Sequence, residues 1–278
     1  MEELLSSKVV ILLSTYNSSR FLKEQLDSII SQSYTNWELV IRDDGSIDNT
    51  IEIINEYKVK DSRIIFFTDD LKGLGASNSF MRLLQSQDSE FYMFCDHDDF
   101  WLPNKIEKSM NLILTQKNDL PLIVHTDLFV VDEALNLISD SFWKTVGLKP
   151  KLICNKEMIQ VFNCVTGCTM LLNNNAKKCS LPYNPNAPMH DWWIAMQVLL
   201  KGGKVLQIEE PLIKYRQHSN NAVGAKEVNF RYFFKRIKKI KNTINENLIK
   251  IKFLKEINGI GLSKYLFYKI SYNVLRKL

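Results

Sequence analysis

Cysteine is scarce in this 278-residue chain, and its five positions, Cys95, Cys154, Cys164, Cys168 and Cys179, follow no regular spacing. An odd, irregular set excludes a disulfide framework. Cys164 and Cys168 are spaced like half of a zinc site, but no second half accompanies them, so reduced, packed thiols are expected. Long apolar runs are also missing: none approaches the ~20 residues that span a bilayer. Met1-Glu2-Glu3 is acidic where a secretory signal is basic. The expected location is therefore the cytoplasm. Internal repeats and low-complexity linkers are absent as well. What remains is the composition of an ordinary globular protein, 45% hydrophobic and 24% charged, long enough for one large domain or for a domain with an appendage.

The net charge of +5 hides an asymmetry. Residues 226–278 carry 14 Lys and Arg against three Glu, a balance of +11, which leaves −6 for residues 1–225. The basic character belongs to the tail. Its apolar stripe Phe230, Phe233, Phe234, Ile237, Ile240 and Ile244, interleaved with Lys and Arg, predicts a basic amphipathic helix. We therefore divide the chain into an α/β domain, 1–225, and a basic helical region, 226–278.

Within the first part the pattern alternates between strand and helix. The apolar run Lys8 to Leu13 ends in Ser14-Thr15-Tyr16-Asn17 and predicts a central parallel strand. A helix follows from about Ser19, then a strand over Glu38–Arg42 ending in Asp43-Asp44-Gly45-Ser46, and a helix capped by Asp48. Arg63–Phe67 and Phe91–Cys95 are further strands, with a helix after Gly73-Leu74-Gly75-Ala76 between them. Pro103 fits the first turn of the next helix. Four such alternations predict a doubly wound, mostly parallel sheet flanked by helices, and in such sheets ligands bind outside the carboxyl ends of the strands. Those ends supply Thr15, Tyr16, Asp44 and Asp96-His97-Asp98-Asp99. Three carboxylates in four residues repel one another and call for a compensating cation.

The second half alternates less regularly. Leu122–Thr126 and Leu128–Val131 suit two strands, Val165–Asn173 a strand around Gly167, and Val205–Ile208 one more. Residues 136–163 give no clear pattern. His190-Asp191-Trp192-Trp193 opens a helix with Asp191 at its start. Trp192 falls at core spacing, and Trp193 is expected to face outward.

Together, Ser14-Thr15-Tyr16-Asn17, Asp43-Asp44-Gly45-Ser46, Asp96-His97-Asp98-Asp99 and Asp191-Trp192, in this order over residues 8–221, resemble the inverting, metal-dependent glycosyltransferases of family two, which have the GT-A fold. The ending Tyr215-Arg216-Gln217-His218-Ser219-Asn220-Asn221-Ala222-Val223-Gly224 is similar to bacterial rhamnosyltransferases and to capsule and cell-wall polysaccharide transferases. The resemblance implies a nucleotide-sugar donor, dTDP-L-rhamnose first and a UDP-hexose second, and a glycan acceptor that can be lipid-linked. It implies that Thr15, Tyr16 and Asn17 sit at the donor, with Tyr16 stacked on a pyrimidine base and Asp44 accepting from the base N–H. Asp96 would meet the ribose, and Asp99 would lie near the donor sugar or hold the loop. Asp98 and His218 would bind Mn²⁺ or Mg²⁺, Arg216 would assist the diphosphate, and Asp191 would be the general base. Trp192 and Trp193 would offer a face for a sugar ring. Relatives carry a basic residue shortly after the position of Gly75; here Ser77-Asn78 stand there, with Lys72 or Arg82 as substitutes.

Taken singly, each signal has a plain alternative: Asp43-Asp44 fits a turn, His218 an ordinary surface or core histidine, Asp191 a helix cap. Their joint order favours the enzyme. Two other classes stay open at this point. The acidic strand ends also suit a Mg²⁺-dependent phosphotransfer domain, although no partner lysine is evident. The basic tail suits nucleic-acid binding, against which stands the −6 balance of the larger part. For the tail we expect contact with an anionic membrane surface, which would make the protein peripheral at the inner face of the cell membrane.

Overall fold

The computed structural model describes residues 7–117, 119–218 and 240–277, with side chains from 247 onward in the last stretch. Strand β1 (Val9–Thr15) lies between β2 (Trp37–Asp43) and β4 (Phe91–Cys95), and β3 (Ile64–Phe67) extends the edge beyond β2. All these pairings are parallel. The reason is the connection: α1 (Leu22–Ile30), α2 (Thr50–Lys60) and α3 (Ala76–Ser86) carry the chain back across a sheet face before each new strand begins.

Strand β1 shows how the layers form. Val9, Ile11 and Leu13 pack on one side with Leu22, Leu26, Ile54, Ile106 and Met110. Val10 and Leu12 pack on the other with Phe80, Leu84 and Ile194. Alternation along a buried strand thus feeds two cores, which is why the run reads as continuously apolar.

The second half of the sheet is mixed. After the short β5 (Phe100–Trp101) and α4 (Lys105–Ile113), β6 (Leu122–Val131) is one strand where two were expected; its register against β9 (Lys204–Arg216) shifts around Asp127. Strand β7 (Leu137–Ser139) pairs antiparallel with β6, and β8 (Leu171–Asn173) inserts antiparallel between β4 and β6. The expected strand over 165–173 is correspondingly short, because Gly167–Thr169 forms a 3-10 turn before it. The long β6–β9 pairing is parallel, and the short pairings around it are antiparallel. Pro103 precedes α4 and does not sit inside its first turn.

Helices α5 (Phe142–Val146) and α6 (Pro150–Ile153) fill the segment that lacked a pattern. Helix α7 (Asn174–Ser180) leads to α8 (His190–Leu200), whose face toward the sheet carries Ile194, Ala195 and Val198. The chain ends in α9 (Ile240–Asn258) and α10 (Leu262–Leu275), which bury Phe253, Leu254, Tyr265 and Tyr272 against the α8 side. The Tyr272 hydroxyl accepts from Lys149 N–H at 3.2 Å. The opposite face of α10 exposes Leu262, Leu266, Phe267, Ile270 and Val274. No helix among the described residues is long and apolar enough to cross a membrane. Most of the amphipathic stripe 230–244 lies outside the described residues.

Candidate active site

A cavity of about 1030 Å³ opens at the carboxyl ends of β1, β2 and β4 and extends to the start of α8. Its lining includes Thr15, Tyr16, Asn17, Asp44, Asp96, Asp98, Asp191 and His218. Residues from opposite ends of the chain thus share one wall.

The turn after β2 separates its two aspartates. Asp43 closes the turn, accepting from Gly45 N, Ser46 N and the Thr15 hydroxyl (2.8 Å). Asp44 faces the cavity, held by Arg42 Nη1 at 2.8 Å, Leu74 N at 2.9 Å and Gly75 N at 2.8 Å. Burial raises its carboxyl, but these donors outweigh burial and hold it below its ordinary range. Gly75 makes this possible by adopting φ 74, which turns its N–H toward the carboxylate. Tyr16 leaves its ring 58% exposed at the rim. Asn17, at φ 49, accepts from Ile47 N, so its amide is tied to the same turn.

On the other side of β1, the turn after β4 distributes its carboxylates by depth. Asp98 Oδ2 lies 2.7 Å from His218 Nε2. A carboxylate oxygen and an imidazole nitrogen meeting at a cavity edge fit a hard divalent cation such as Mn²⁺ or Mg²⁺. Burial, then repulsion from Asp98 and Asp191, pushes the Asp96 carboxyl up to about 7. Asp99 is fully buried behind them and accepts from Arg216 N at 3.2 Å; burial and repulsion from Asp98 push its carboxyl well up. It holds the loop and does not border the cavity.

Asp191 sits in the first turn of α8, where the free N–H groups favour a carboxylate. Its Oδ1 accepts from Trp192 N at 2.5 Å and Asn163 Nδ2 at 3.1 Å, and its Oδ2 accepts from Gly167 N at 3.0 Å. Burial still pushes the carboxyl up to about 6 against those donors. A carboxylate in this range is ionised near neutral pH and basic enough to take a proton from a hydroxyl.

Four expectations need correction. Arg216, expected at the diphosphate, is 1% exposed and turned inward: Nε donates to Asp98 O at 2.8 Å and Nη2 to Glu24 at 2.6 Å. It positions the turn and the neighbouring His218, because a guanidinium so engaged does not border the cavity. Trp193, expected to face out, is buried at 8%, with Nε1 donating to Ser180 O at 2.7 Å. Helix α8 is apolar on nearly every face, so it is covered all round and neither Trp192 nor Trp193 is free to stack on a sugar. Arg82, expected as a substitute base contact, pairs with Asp69 at 3.1 Å; Lys72 packs beside Gly45.

Four site residues were missed by sequence reasoning. Arg42 is 1% exposed and bridges Asp44 and Asp69; an arginine directly after the apolar run Leu39-Val40-Ile41, still inside β2, was the available signal. Asn163 lies in the segment without a pattern. Gly167 is required because a Cβ there would stand 2.8 Å from His190 Nε2. His190 borders the cavity between Phe80 and Phe94, at ring separations of 4.7 and 4.9 Å. Burial pushes its pKa down to about 3, so it is neutral.

With this geometry in place, comparisons with known proteins are specific. Residues 10–175 match the model of glycosyl transferase family 2. The chain is 28% identical over 242 residues to the dTDP-rhamnosyl transferase RfbG of Shigella flexneri, covering 83% of this chain and 79% of that protein. It is 26% identical over 267 residues to the Escherichia coli UDP-Glc:alpha-D-GlcNAc-diphosphoundecaprenol beta-1,3-glucosyltransferase WfgD, covering 93% and 95%. S. aureus TarS, residues 1–349 in complex with UDP-GlcNAc, superposes with a TM-score of 0.61 at 17% identity, over 92% of this chain and 74% of that one. In another structure of TarS residues 1–349 the overlap spans 75% of this chain and 60% of that chain. The mannosyltransferase PcManGT of Pyrobaculum calidifontis, in complex with GDP-Man and Mn2+, superposes at 0.59 and 13% identity, over 77% of this chain and 58% of that one.

The fold is thus the GT-A fold of nucleotide-sugar transferases, an α/β sheet flanked by helices. The chain belongs to glycosyl transferase family 2 and is a glycosyltransferase.

Proposed function

We propose that this enzyme transfers a sugar, with inversion, from a pyrimidine nucleoside diphosphate donor to a saccharide acceptor in bacterial polysaccharide synthesis. The preferred donor is dTDP-L-rhamnose, with UDP-hexoses second. The observation that carries this reading is the pairing, across one cavity, of the Asp98–His218 couple with Asp191, a buried carboxyl pushed up to about 6. The rhamnosyl reading is supported by the likeness to RfbG. A lipid-linked acceptor is supported by the name of the E. coli relative.

In this account Tyr16 stacks on the base while Asp44, fixed by Arg42, accepts from the ring N–H of uracil or thymine, a donor that cytosine and adenine lack. Asp96 meets the ribose, and Thr15 and Asn17 shape the donor edge. Asp98 and His218 would hold Mn²⁺ or Mg²⁺, which would supply positive charge against that developing on the leaving diphosphate. Asp191 withdraws the acceptor proton as the hydroxyl attacks from the opposite face. Inversion follows from that single displacement. Neutral His190 forms part of the wall beside the base. The α10 face carrying Phe267 and Ile270, flanked by Lys264 in its first turn and Lys277 beyond its end, docks on an anionic inner-leaflet surface.

The test is thermal stabilisation by dTDP, UDP, GDP and ADP, with and without Mn²⁺, on the wild type and Asp98→Asn. A pyrimidine-selective, Mn²⁺-dependent rise in Tm that the variant loses supports the donor site. Equal shifts with GDP and ADP, or none with any nucleotide, count against it.

A further inference from the structure

Beside the acceptor side of the cavity lies a sulfur cluster that the transfer reaction does not use. Cys154, just after α6, and Cys164 approach with sulfurs 3.2 Å apart, and His125 Nε2 of β6 lies 3.7 Å from the Cys154 sulfur. His125 is fully buried, and its Nδ1 has no hydrogen-bond partner. Cys154 is half-buried, whereas Cys164 is 2% exposed and borders the cavity. The other three cysteines lack such a partner: Cys95 and Cys168 are buried near Asp99, and Cys179 contacts a backbone carbonyl.

We propose that Cys154 and Cys164 are a peroxide-sensitive thiol pair whose oxidation switches the transferase off. The two thiols have the two roles such a pair needs. Cys154 is the attacking sulfur: it is the more accessible, and contact with the Cys164 thiol and then with His125 lowers its pKa to about 5. Cys164 is the resolving sulfur, its own thiol proton held tightly by contact with Cys154 and by burial.

The chemistry balances with a hydroperoxide as oxidant. The Cys154 thiolate attacks one peroxide oxygen, the O–O bond breaks, and hydroxide leaves and takes a proton to become water. The product is the Cys154 sulfenic acid. The Cys164 sulfur then attacks the Cys154 sulfur, the S–O bond breaks, and a second water leaves. Two thiols lose two protons and two electrons, and one hydrogen peroxide becomes two waters.

The switch acts through the neighbouring residue. Bonding distance for two sulfurs is about 2.05 Å, so closing the 3.2 Å gap moves the 154–164 loop by roughly an ångström. Asn163, adjacent to Cys164, donates to Asp191 Oδ1 at 3.1 Å and brackets Val165 through N–H and carbonyl contacts of 3.0 and 2.9 Å. A displacement of about 1 Å at a reacting group costs on the order of a hundredfold in rate. This consequence rests on Asp191 as the base; the thiol chemistry does not.

The experiment treats the fully reduced, full-length protein with hydrogen peroxide and follows intact mass, a disulfide map, nucleotide binding and transfer. The expected result is loss of two hydrogens, a bridge mapping to Cys154–Cys164, reversal by dithiothreitol, and transfer lowered tenfold or more with nucleotide binding kept. Cys164→Ser stops at a Cys154 sulfenic acid that dimedone traps, and Cys154→Ser gives neither product. If both variants fail to fold, alkylation of the wild type decides: Cys154 must react with iodoacetamide faster than Cys179 at neutral pH. A bridge at other cysteines, no bridge, or Cys154 reacting no faster than Cys179 overturns the pair. A bridge that forms without lowering transfer overturns the switch.

Discussion

Replacing Asn163 by Ala removes one of three hydrogen bonds that hold the Asp191 carboxylate. A hydrogen bond to a charged group contributes about 1.5–3 kcal/mol, and one pKa unit corresponds to about 1.36 kcal/mol. Because Asn163 shares Oδ1 with Trp192 N–H, we take the lower end, a rise of about one unit. The base is pushed up to about 6 in the wild type and would move to roughly 7 in the variant. The sign is fixed by its role: a base works only when ionised, so rate falls as pH drops below its pKa. Donor-saturated transfer should therefore show an acid limb displaced to higher pH, with the variant roughly fivefold slower near pH 6 and close to wild type above roughly pH 8 after scaling. Loosening of the Val165 loop lowers the whole curve without moving its midpoint, so the midpoint is the diagnostic quantity. Asn163→Asp adds a like charge and should move it further in the same direction. A midpoint that stays fixed or moves to lower pH refutes Asp191 as the titrating base.

Three further outcomes follow from the same geometry. Gly167→Ala places a methyl 2.8 Å from His190 Nε2 and should destabilise the fold by about 1–3 kcal/mol while lowering transfer, read by Tm and initial rate; an unchanged Tm would show that the His190 ring moves aside freely. His218→Ala should abolish the Mn²⁺-dependent part of nucleotide binding by calorimetry and leave metal-free affinity within about twofold; equal losses with and without metal would remove His218 from the metal shell. Phe267→Ser with Ile270→Ser should keep the wild-type Tm but abolish flotation with anionic vesicles. Retained flotation would move the membrane contact elsewhere.

The parallel half of the sheet was legible because β1 and β4 are continuous apolar runs that lead directly into polar residues. Phe91–Cys95 matches its expected limits. Asp44, Asp98 and Asp191 could be found because they stand at strand ends or helix starts, places where a carboxylate has a local signature. The second half was opaque for a physical reason: β8 is three residues long, and α5 and α6 are five and four. Elements this short are fixed by tertiary contacts and carry no periodicity. Arg216 shows a related limit. A motif places an arginine near a phosphate site, but only the fold reveals that Glu24 and the Asp98 carbonyl claim it. Trp193 failed because helical spacing assumes an exposed face, which α9 removes by setting Phe253 beside the Trp193 ring.

The most direct test of the central claim separates donor binding from transfer in Asp191→Asn. Mn²⁺-dependent nucleotide affinity should stay within about twofold of wild type, and transfer should fall by about 10²–10⁴ for loss of the base. Transfer that stays near the wild-type rate in this variant would contradict it.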